Sequence, residues 1–527
     1  MGSLAVVNGR IYVSFNPLRV VDGLLALNGK VVYIGSSDFV KEIAGKLNVP
    51  LLNLAGRVVL PGFVDSHLHI DSLGLSLVTL YLRGVRSIGE LKKKLKEYAV
   101  QAKTTWILGH GWDHEVFEEK RWPTRWDIDE VVPDKPVLLT RICLHAGVVN
   151  TTAIKEANLL KQPLAGVVRN EKGEVTGVLL EDALKYVREH VKREMKIEEI
   201  VELVKTAQYH LLSNGVTTVG VTGCGFKTLR ALFELWRRRE LRVRFRVYVY
   251  PWDSEASLLE LLLKLGVRTG FGDEYFRIQG VKMFMDGSLG ARTAWLSSPY
   301  SDDPSTSGYP VTQVDELART ARLVDEHGLQ LAVHAIGDKA VETVLTIFRE
   351  LRNYRLLRHR VEHASLVRED LLQYISELKP PIVVQPRFII SDWWALRRLG
   401  ESRVRWLYCF KTLLERGANI AFSTDAPVEP VNPWETIYAA VTRGKYEAVP
   451  FYEHTKQESL SVQDALHAYT AGSAYALHSE HELGTLEPGK LADFVVVDKD
   501  PLSVNPLELR SIRVLEVYVG GERAWPS

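Results

Sequence analysis

Between about residues 59 and 484, the sequence alternates between short apolar segments and amphipathic segments. The apolar segments read as strands: FVDSHLHI, TTVGVT, VRFRVYVY, VKMFMD, LQLAVHA, HRVEHA, PIVVQP and ANIAFSTD. Strands that alternate with helices favour a parallel sheet whose faces are covered by those helices. Over a segment of this length, the pattern predicts an α/β fold built on a (β/α)8 TIM-like barrel.

Helix signals lie between several of these strands. Ser87 and Glu90 have the spacing of a capping box, which predicts that a helix begins there. Two further amphipathic segments end at Gly215 and Gly328, and glycine is the residue type favoured just after the last turn of a helix.

Both ends of the sequence consist of short strand candidates and tight turns. Three dipeptides stand between apolar runs and favour two-residue hairpins: Asn8-Gly9, Asn28-Gly29 and Gly520-Gly521. Neither end has enough strands to bury a sheet face alone. We therefore expect residues 1–58 and 485–527 to form one small β-sandwich domain. We expect residues 59–484 to form the barrel, with an insertion at about 80–200 that could roof an active site.

The composition narrows the classes of partner. The 527 residues include 66 basic and 65 acidic side chains, so no overall field attracts nucleic acid or an anionic membrane. The cysteines Cys143, Cys224 and Cys409 form no CxxC pair, which favours a reducing compartment. The sequence contains no recognisable signal peptide and no apolar run of membrane-spanning length. We expect a cytoplasmic protein, and a homodimer is a common state for such chains.

The first strand candidate ends in two histidines, His67 and His69. Residues two apart share a face of a β-strand, so both imidazoles are expected on the same side. Two imidazole nitrogens on one face can bind a single metal ion. The alternative is a pair of structural histidines that are hydrogen-bonded by their neighbours.

Four later strand candidates also carry one polar residue within or just after an apolar run: Lys282, His334, His363 and Asp425. Each has a structural explanation when taken alone, such as a buried hydrogen bond or a turn cap. Catalytic groups of a (β/α)8 barrel lie at the carboxyl ends of its strands. Together with the two histidines, these residues indicate one site.

An HxH pair followed by a strand lysine, two histidines and an aspartate resembles the amidohydrolase superfamily. The similarity is greatest to its amidohydrolase-3 branch, the YtcJ-like proteins. It extends over most of the sequence through several stretches: LPGFVDSHLHI, GHGWDHEVF, GVTTVG, VKMFMDGSLGARTAW, LAVHAIGDKAV, RVEHASLV, VVQPRF, FSTDAPVEPVNPW and LGTLEPGKLADFVVVDKDPL.

The resemblance implies a ligand set for two divalent metal ions. His67, His69 and Asp425 would bind the first ion, and His334 and His363 the second. The nitrogen and oxygen ligands favour zinc, with iron, manganese and nickel as alternatives.

The lysine at the equivalent position is carboxylated by CO₂ in binuclear members and bridges both ions. By resemblance, Lys282 would carry this carbamate. An anionic carbamate fits between two dications, whereas a protonated lysine would be repelled by them.

The resemblance also implies the reaction. A small-molecule amide, formamide, cyclic amide or related ester would be hydrolysed by a hydroxide bridging the ions, with Asp425 as the general base and then the general acid. Four residues are candidates for substrate contact, with a structural hydrogen bond as the alternative for each: His145, Asp286, Arg292 and Gln385.

Two other functions stay open. A mononuclear deaminase on the same barrel usually has a glutamate shortly after the third histidine, and the segment after His334 contains Asp338 instead. A metal-free barrel acting as a scaffold or regulator is the third possibility, although all six ligand positions are filled here.

Overall fold

A computed structural model describes residues 2–102, 104–141, 146–161, 164–253 and 256–526. The chain divides into two compact units. The first consists of Met1–Ile70 and Ala207–Ser527, and the second of Asp71–Thr206. The helices Ile70–Val78 and Ile197–Ser213 contain the points where the chain passes from one unit to the other.

The first unit contains eight parallel strands that follow one another around a nearly closed barrel. We number them in chain order: β1 Phe63–Leu68, β2 Val216–Cys224, β3 Arg244–Val249, β4 Phe276–Phe284, β5 Gln330–Ala335, β6 Arg360–His363, β7 Pro381–Val384 and β8 Asn419–Phe422. Every neighbouring pair from β1 to β8 is parallel. The predicted α/β barrel is therefore confirmed.

Hydrogen bonds at the carboxyl ends of β8 and β1 bring the two edges of the barrel together. The backbone N–H of Asp425, just after β8, donates to the carbonyl of His67 at 2.9 Å, and the N–H of His69 donates to the carbonyl of Ala426 at 2.9 Å. The Ser66 hydroxyl also donates to the carbonyl of Phe422. These bonds hold the carboxyl ends of the first and last strands together.

Helices follow the barrel strands, as the alternation predicts. The longer ones are Phe226–Arg237, Leu258–Lys264, Val314–Glu326, Asp338–Glu350, Leu372–Leu378 and Pro433–Thr442. Shorter helices are Tyr354–Leu357, Phe388–Ser391, Ala395–Leu399, Glu401–Val404, Phe410–Glu415, Tyr452–Thr455, Val462–His467 and Ser473–Ala476. Gly215 and Gly328 have φ angles of 83° and 75°, the left-handed backbone expected where a helix ends.

Strands from both ends of the chain form two further sheets. One contains, in spatial order, Lys30–Gly35, Gly23–Leu27, Leu4–Val7 and Leu51–Asn53. The other contains Glu522–Trp525, Val514–Val519, Phe494–Val497, Val58–Pro61, Arg10–Phe15 and Leu18–Val21. Residues from both sheets share one apolar core, including Val6, Val13 and Phe494. The sandwich built from both chain ends is therefore confirmed.

The hairpin predicted at Asn8-Gly9 is wrong. Leu4–Val7 pairs with other strands of the four-stranded sheet, whereas Arg10–Phe15 pairs within the six-stranded sheet. Asn8 does adopt a positive φ of 58°, but the turn carries the chain from one sheet to the other. The dipeptides Asn28-Gly29 and Gly520-Gly521 do join antiparallel neighbours, as predicted.

The second unit has its own mixed six-stranded sheet. In spatial order its strands are Val167–Arg169, Val175–Leu180, Ala146–Val149, Val137–Arg141, Ile107–Trp112 and Leu80–Tyr81. Its helices include Ile88–Gln101, Arg125–Asp129, Thr151–Glu156 and Glu181–Glu194. The Ser87 hydroxyl accepts from the N–H of Glu90 at 3.0 Å, so the predicted cap is present. The domain boundaries stated above stay a prediction.

Among the described residues, the structure contains no helix with the length and apolar character needed to cross a membrane.

A buried ion pair connects the barrel to the terminal strands. Arg244 of β3 donates from Nε and Nη2 to the carboxylate of Asp493 at 2.6 and 2.8 Å. The same carboxylate accepts from the N–H of Gly520 at 2.7 Å. Both charged side chains are buried, so the charge of each is compensated by the opposite charge of the other.

We predict that Asp493→Asn lowers the free energy of unfolding by about 3–5 kcal/mol, because it leaves the Arg244 guanidinium buried and uncompensated. Thermal melting of both proteins checks this through the apparent melting temperature. The control is Asp498→Asn, whose partner Arg513 is largely exposed, and which should cost less than about 1 kcal/mol. Equal melting temperatures for the two variants would contradict the prediction.

Candidate metal centre

His67 and His69 are brought together with Asp425 at the carboxyl end of the barrel. The Nε2 atoms of the two histidines lie 3.4 and 3.1 Å from Oδ1 of Asp425. One potential ligand atom from each of the three residues lies within 4.8 Å of the other two. This is the trio predicted to bind the first ion, and it combines the first strand of the barrel with the loop after the last.

Hydrogen bonds orient both imidazoles toward this point. Nδ1 of His67 lies 2.5 Å from a carboxylate oxygen of Glu362, and Nδ1 of His69 lies 3.0 Å from the carbonyl oxygen of Thr222. An acceptor at Nδ1 favours the tautomer with the proton there, which leaves the Nε2 lone pair free to bind a metal.

His334 and His363 form a second pair beside the first. Their ring centroids are 4.4 Å apart, and the ring of His363 lies 5.1 Å from that of His67. Nδ1 of His363 lies 2.7 Å from Oε1 of Gln385, and Nε2 of His334 lies 2.9 Å from the carbonyl oxygen of Gly287. Each imidazole therefore keeps one nitrogen free of the contact that orients its ring.

Lys282 of β4 is completely buried. Its Nζ has no hydrogen-bond partner among the described residues, and the same is true of Oδ1 of Asp425. Burial lowers the pKa of Lys282 to about 8, against the opposing effect of the negative charges of Glu362 and Asp425. Buried polar atoms without partners are costly. The two unpartnered atoms, Nζ of Lys282 and Oδ1 of Asp425, fit a metal centre in which Asp425 binds a cation and Lys282 is not an ammonium.

His67, His334 and His363 are suited to bind metal because burial keeps them neutral. Burial, followed by the charge of Lys282, lowers the pKa of His334 to about 3. Burial also holds the pKa values of His67 and His363 well below the usual range. A neutral imidazole offers a lone pair, whereas an imidazolium cannot bind a cation.

Two of the six residues owe their position to a left-handed backbone. His363 has a φ of 71° and Asp425 a φ of 56°, which is unfavourable for residues other than glycine. At His363, the last residue of β6, this conformation turns the side chain away from the direction that strict strand alternation would give. Such strain is typical of sites where surrounding structure holds a side chain in place.

Comparison with known proteins identifies the family. Residues 51–524 match the model of the Amidohydrolase family. The chain belongs to this family.

Several relatives match nearly all of the chain. Protein LONG AFTER FAR-RED 3 of Arabidopsis thaliana is 33% identical, over 100% of this chain and 92% of that protein. The YtcJ protein of Bacillus subtilis is 31% identical over 98% of each. N-substituted formamide deformylase of Arthrobacter pascens is 25% identical over 99% of this chain and 98% of that enzyme.

A crystal structure is also similar. It is that of an uncharacterized metal-dependent hydrolase from Pyrococcus horikoshii OT3, with 43% identity and a TM-score of 0.85 over 96% of this chain and 99% of that one. The predicted resemblance to amidohydrolases is confirmed, and the family and this neighbour support a metal-dependent hydrolase.

Three of the four residues predicted to contact substrate lie among the described residues, and their surroundings differ. Gln385 bonds to His363 and donates from Nε2 to the hydroxyl of Ser423. The Asp286 carboxylate is buried and accepts from the backbone N–H groups of Trp295, Ile336 and Gly337. Arg292 makes a two-point ion pair with Asp302. His145 lies outside the described residues. Substrate contact by these four residues stays a prediction.

Sequence reasoning missed Glu362. Its carboxylate lies 2.6 Å from Nε of Arg360 and 2.5 Å from Nδ1 of His67, and all three side chains are buried. Arg360 also stacks over the ring of Tyr248 and donates to the carbonyl of Ser66. The signal was present in RVEH, because two opposite charges two residues apart in a buried strand must face the same interior and find partners there.

Asp65 was also missed. It accepts from the hydroxyl and N–H of Thr424 at 2.6 and 3.2 Å, and burial raises its pKa to about 7. Asp65 therefore holds the segment before Asp425 against β1.

We predict that Glu362→Gln weakens metal binding by about 10- to 100-fold, because a neutral amide is a poorer acceptor for the Nδ1 proton of His67. Competition with a chelator measures the affinity, and circular dichroism checks that the variant is folded. Glu350→Gln is the control, since Glu350 makes only an exposed ion pair with Arg322. Unchanged affinity in a folded Glu362→Gln protein would show that Glu362 does not support His67.

Proposed function

We propose that this protein uses two divalent metal ions to hydrolyse the C–N bond of a small-molecule amide, formamide or cyclic amide. Zinc is the metal that we propose for both ions. The supporting observation is the convergence of His67, His69 and Asp425, with ligand atoms within 4.8 Å of one another. The paired rings of His334 and His363 provide donors for a second ion next to them. The proposed reaction involves no nucleic acid and no membrane. A cytoplasmic location and a homodimer remain expectations.

Bound divalent ions would lower the pKa of a coordinated water and polarise the carbonyl of the substrate. Asp425 is the residue placed to move protons. Its carboxylate lies at the mouth of the barrel and is only 8% exposed, and its Oδ1 accepts no hydrogen bond from the described residues.

In the proposed reaction, Asp425 takes a proton from the attacking water and delivers it to the leaving nitrogen. Attack of the water oxygen forms the new C–O bond, and collapse of the tetrahedral adduct then breaks the C–N bond, so the amide and one water give a carboxylic acid and an amine.

Lys282 would serve as a carbamate. The charges of the carboxylates of Glu362 and Asp425 and of the guanidinium of Arg360 act on its amine. Reaction of the neutral amine with CO₂ would form an N–C bond and release the proton of an N–H bond, giving an anion whose two oxygens could bind the ions. This anion offsets part of the positive charge that two dications would bring into a buried site.

The deaminase alternative is disfavoured by the contacts of Asp338. Its carboxylate accepts from the N–H and hydroxyl of Ser297 and from Arg368. A proton shuttle needs a carboxylate that reaches the reacting atoms. The Asp338 carboxylate is instead bound to Ser297 and Arg368. A metal-free scaffold would not need ligand atoms of His67, His69 and Asp425 to lie within 4.8 Å of one another.

The substrate screen follows from the relatives. Because one of them is named as a deformylase of N-substituted formamides, N-formyl amines are the first compounds to test, followed by N-acyl amines and cyclic amides. The protein is loaded with zinc and supplied with bicarbonate, and its metal content is measured. About two ions per chain support the proposal, whereas one ion per chain supports the deaminase.

We predict that Lys282→Ala abolishes hydrolysis and lowers the zinc content, because the bridging anion is lost. Turnover of the best substrate and metal analysis on the same sample check both effects. Lys264→Ala is the control, as Lys264 makes only an exposed ion pair with Glu260. Full turnover in the Lys282→Ala protein would refute the bridging role.

We also predict that carbamate formation on metal-free protein rises as the pH passes upward through about 8, the pKa of Lys282. Only the neutral amine reacts with CO₂, and the ammonium predominates below that pKa. Carbon-13 NMR with labelled bicarbonate measures the carbamate signal. The signal should be absent from Lys282→Ala and retained in Lys264→Ala. A signal that is independent of pH, or that persists in Lys282→Ala, would contradict the assignment.

A further inference from the structure

A cavity of about 410 Å³ lies within the second unit, and all the residues that line it belong to Asp71–Thr206. None of the six predicted metal-site residues takes part. Much of its wall is apolar and includes Leu75, Leu108 and Leu138. A cavity of this volume is in the range that holds small organic ligands.

One side of the cavity is formed by the helix Glu181–Glu194. Lys185, Arg188 and Lys192 all line it. They are spaced by three and four residues, so they follow one face of the helix. Glu189 is the only carboxylate among the lining residues, which leaves an excess of positive charge beside an apolar wall.

Arg188 is the unusual member of this group. It is half-buried, and burial lowers its pKa without a compensating carboxylate. No ion pair or hydrogen bond of its side chain is present among the described residues. The neighbouring Arg193, on the same helix, instead contacts His190 and Glu194. A half-buried guanidinium with no anion beside it is available to pair with the carboxylate of a ligand.

We propose that this cavity binds an organic carboxylate with an apolar body. The body packs against the leucines, and the carboxylate pairs with Arg188, whose planar fork matches two carboxylate oxygens. Lys185 and Lys192 add attraction from the more exposed rim. The proposal does not rest on the proposed hydrolysis, because it uses no residue of the metal centre.

Isothermal titration of the full-length protein with 4-phenylbutyrate tests the proposal, with 4-phenyl-1-butanol as the neutral analogue. The carboxylate should bind more tightly than the alcohol, and Arg188→Gln should weaken carboxylate binding at least about tenfold while changing alcohol binding little. Arg188→Lys keeps the charge and loses the fork, so its affinity should be intermediate. Leu75→Gln should weaken both ligands, because it removes part of the apolar wall.

Arg193→Gln is the matched control, because it removes a cation from the same helix outside the cavity. It should bind 4-phenylbutyrate as the unmodified protein does. The proposal is overturned if the carboxylate and the alcohol bind alike, if Arg188→Gln retains full affinity, or if Arg193→Gln loses as much as Arg188→Gln. Circular dichroism of each variant separates lost binding from lost folding.

Discussion

The Glu362 carboxylate is the link between the interior of the barrel and its metal centre. On one side it compensates the buried guanidinium of Arg360, and on the other it holds Nδ1 of His67. Burial alone would raise the pKa of Glu362, and the positive charges of Arg360 and Lys282 oppose that effect. The orientation of a metal ligand is thus tied to the charge balance of the core. A change in either partner would leave the other buried without compensation.

The parallel arrangement of the strands explains why distant residues meet. All eight strands run in the same direction, so their carboxyl ends share one mouth of the barrel. β1, β4, β5 and β6 each bring at least one predicted ligand to this mouth, and Asp425 follows β8. The backbone hydrogen bond from Asp425 to His67 joins the last strand to the first at the point where the first ion would bind. Closure of the sheet and assembly of the first ligand trio therefore depend on the same few residues.

The strands of the terminal sandwich are connected to the barrel at two points. Val58–Pro61 pairs with Phe494–Val497 in the sandwich and runs directly into β1. Asp493, immediately before that second strand, holds Arg244 of β3. The sandwich thus anchors the start of the barrel at one end and pairs with its wall through a buried ion pair. Neither terminal segment could supply this alone, because each contributes only part of the six-stranded sheet.

The sequence by itself determined the barrel, the sandwich from both ends and the six candidate ligands. Each of these rests on a local signal, such as apolar periodicity, a turn dipeptide, or a polar residue where an apolar strand ends. Only the tertiary structure decided that Asn8-Gly9 joins two sheets and that Glu362 supports His67. It also decided that the Asp286 carboxylate accepts hydrogen bonds from backbone N–H groups. It also decided the left-handed turn that places His363. These outcomes depend on which segments become neighbours in space, and residues such as Glu362 and His67 lie far apart in the chain, where no local pattern can pair them.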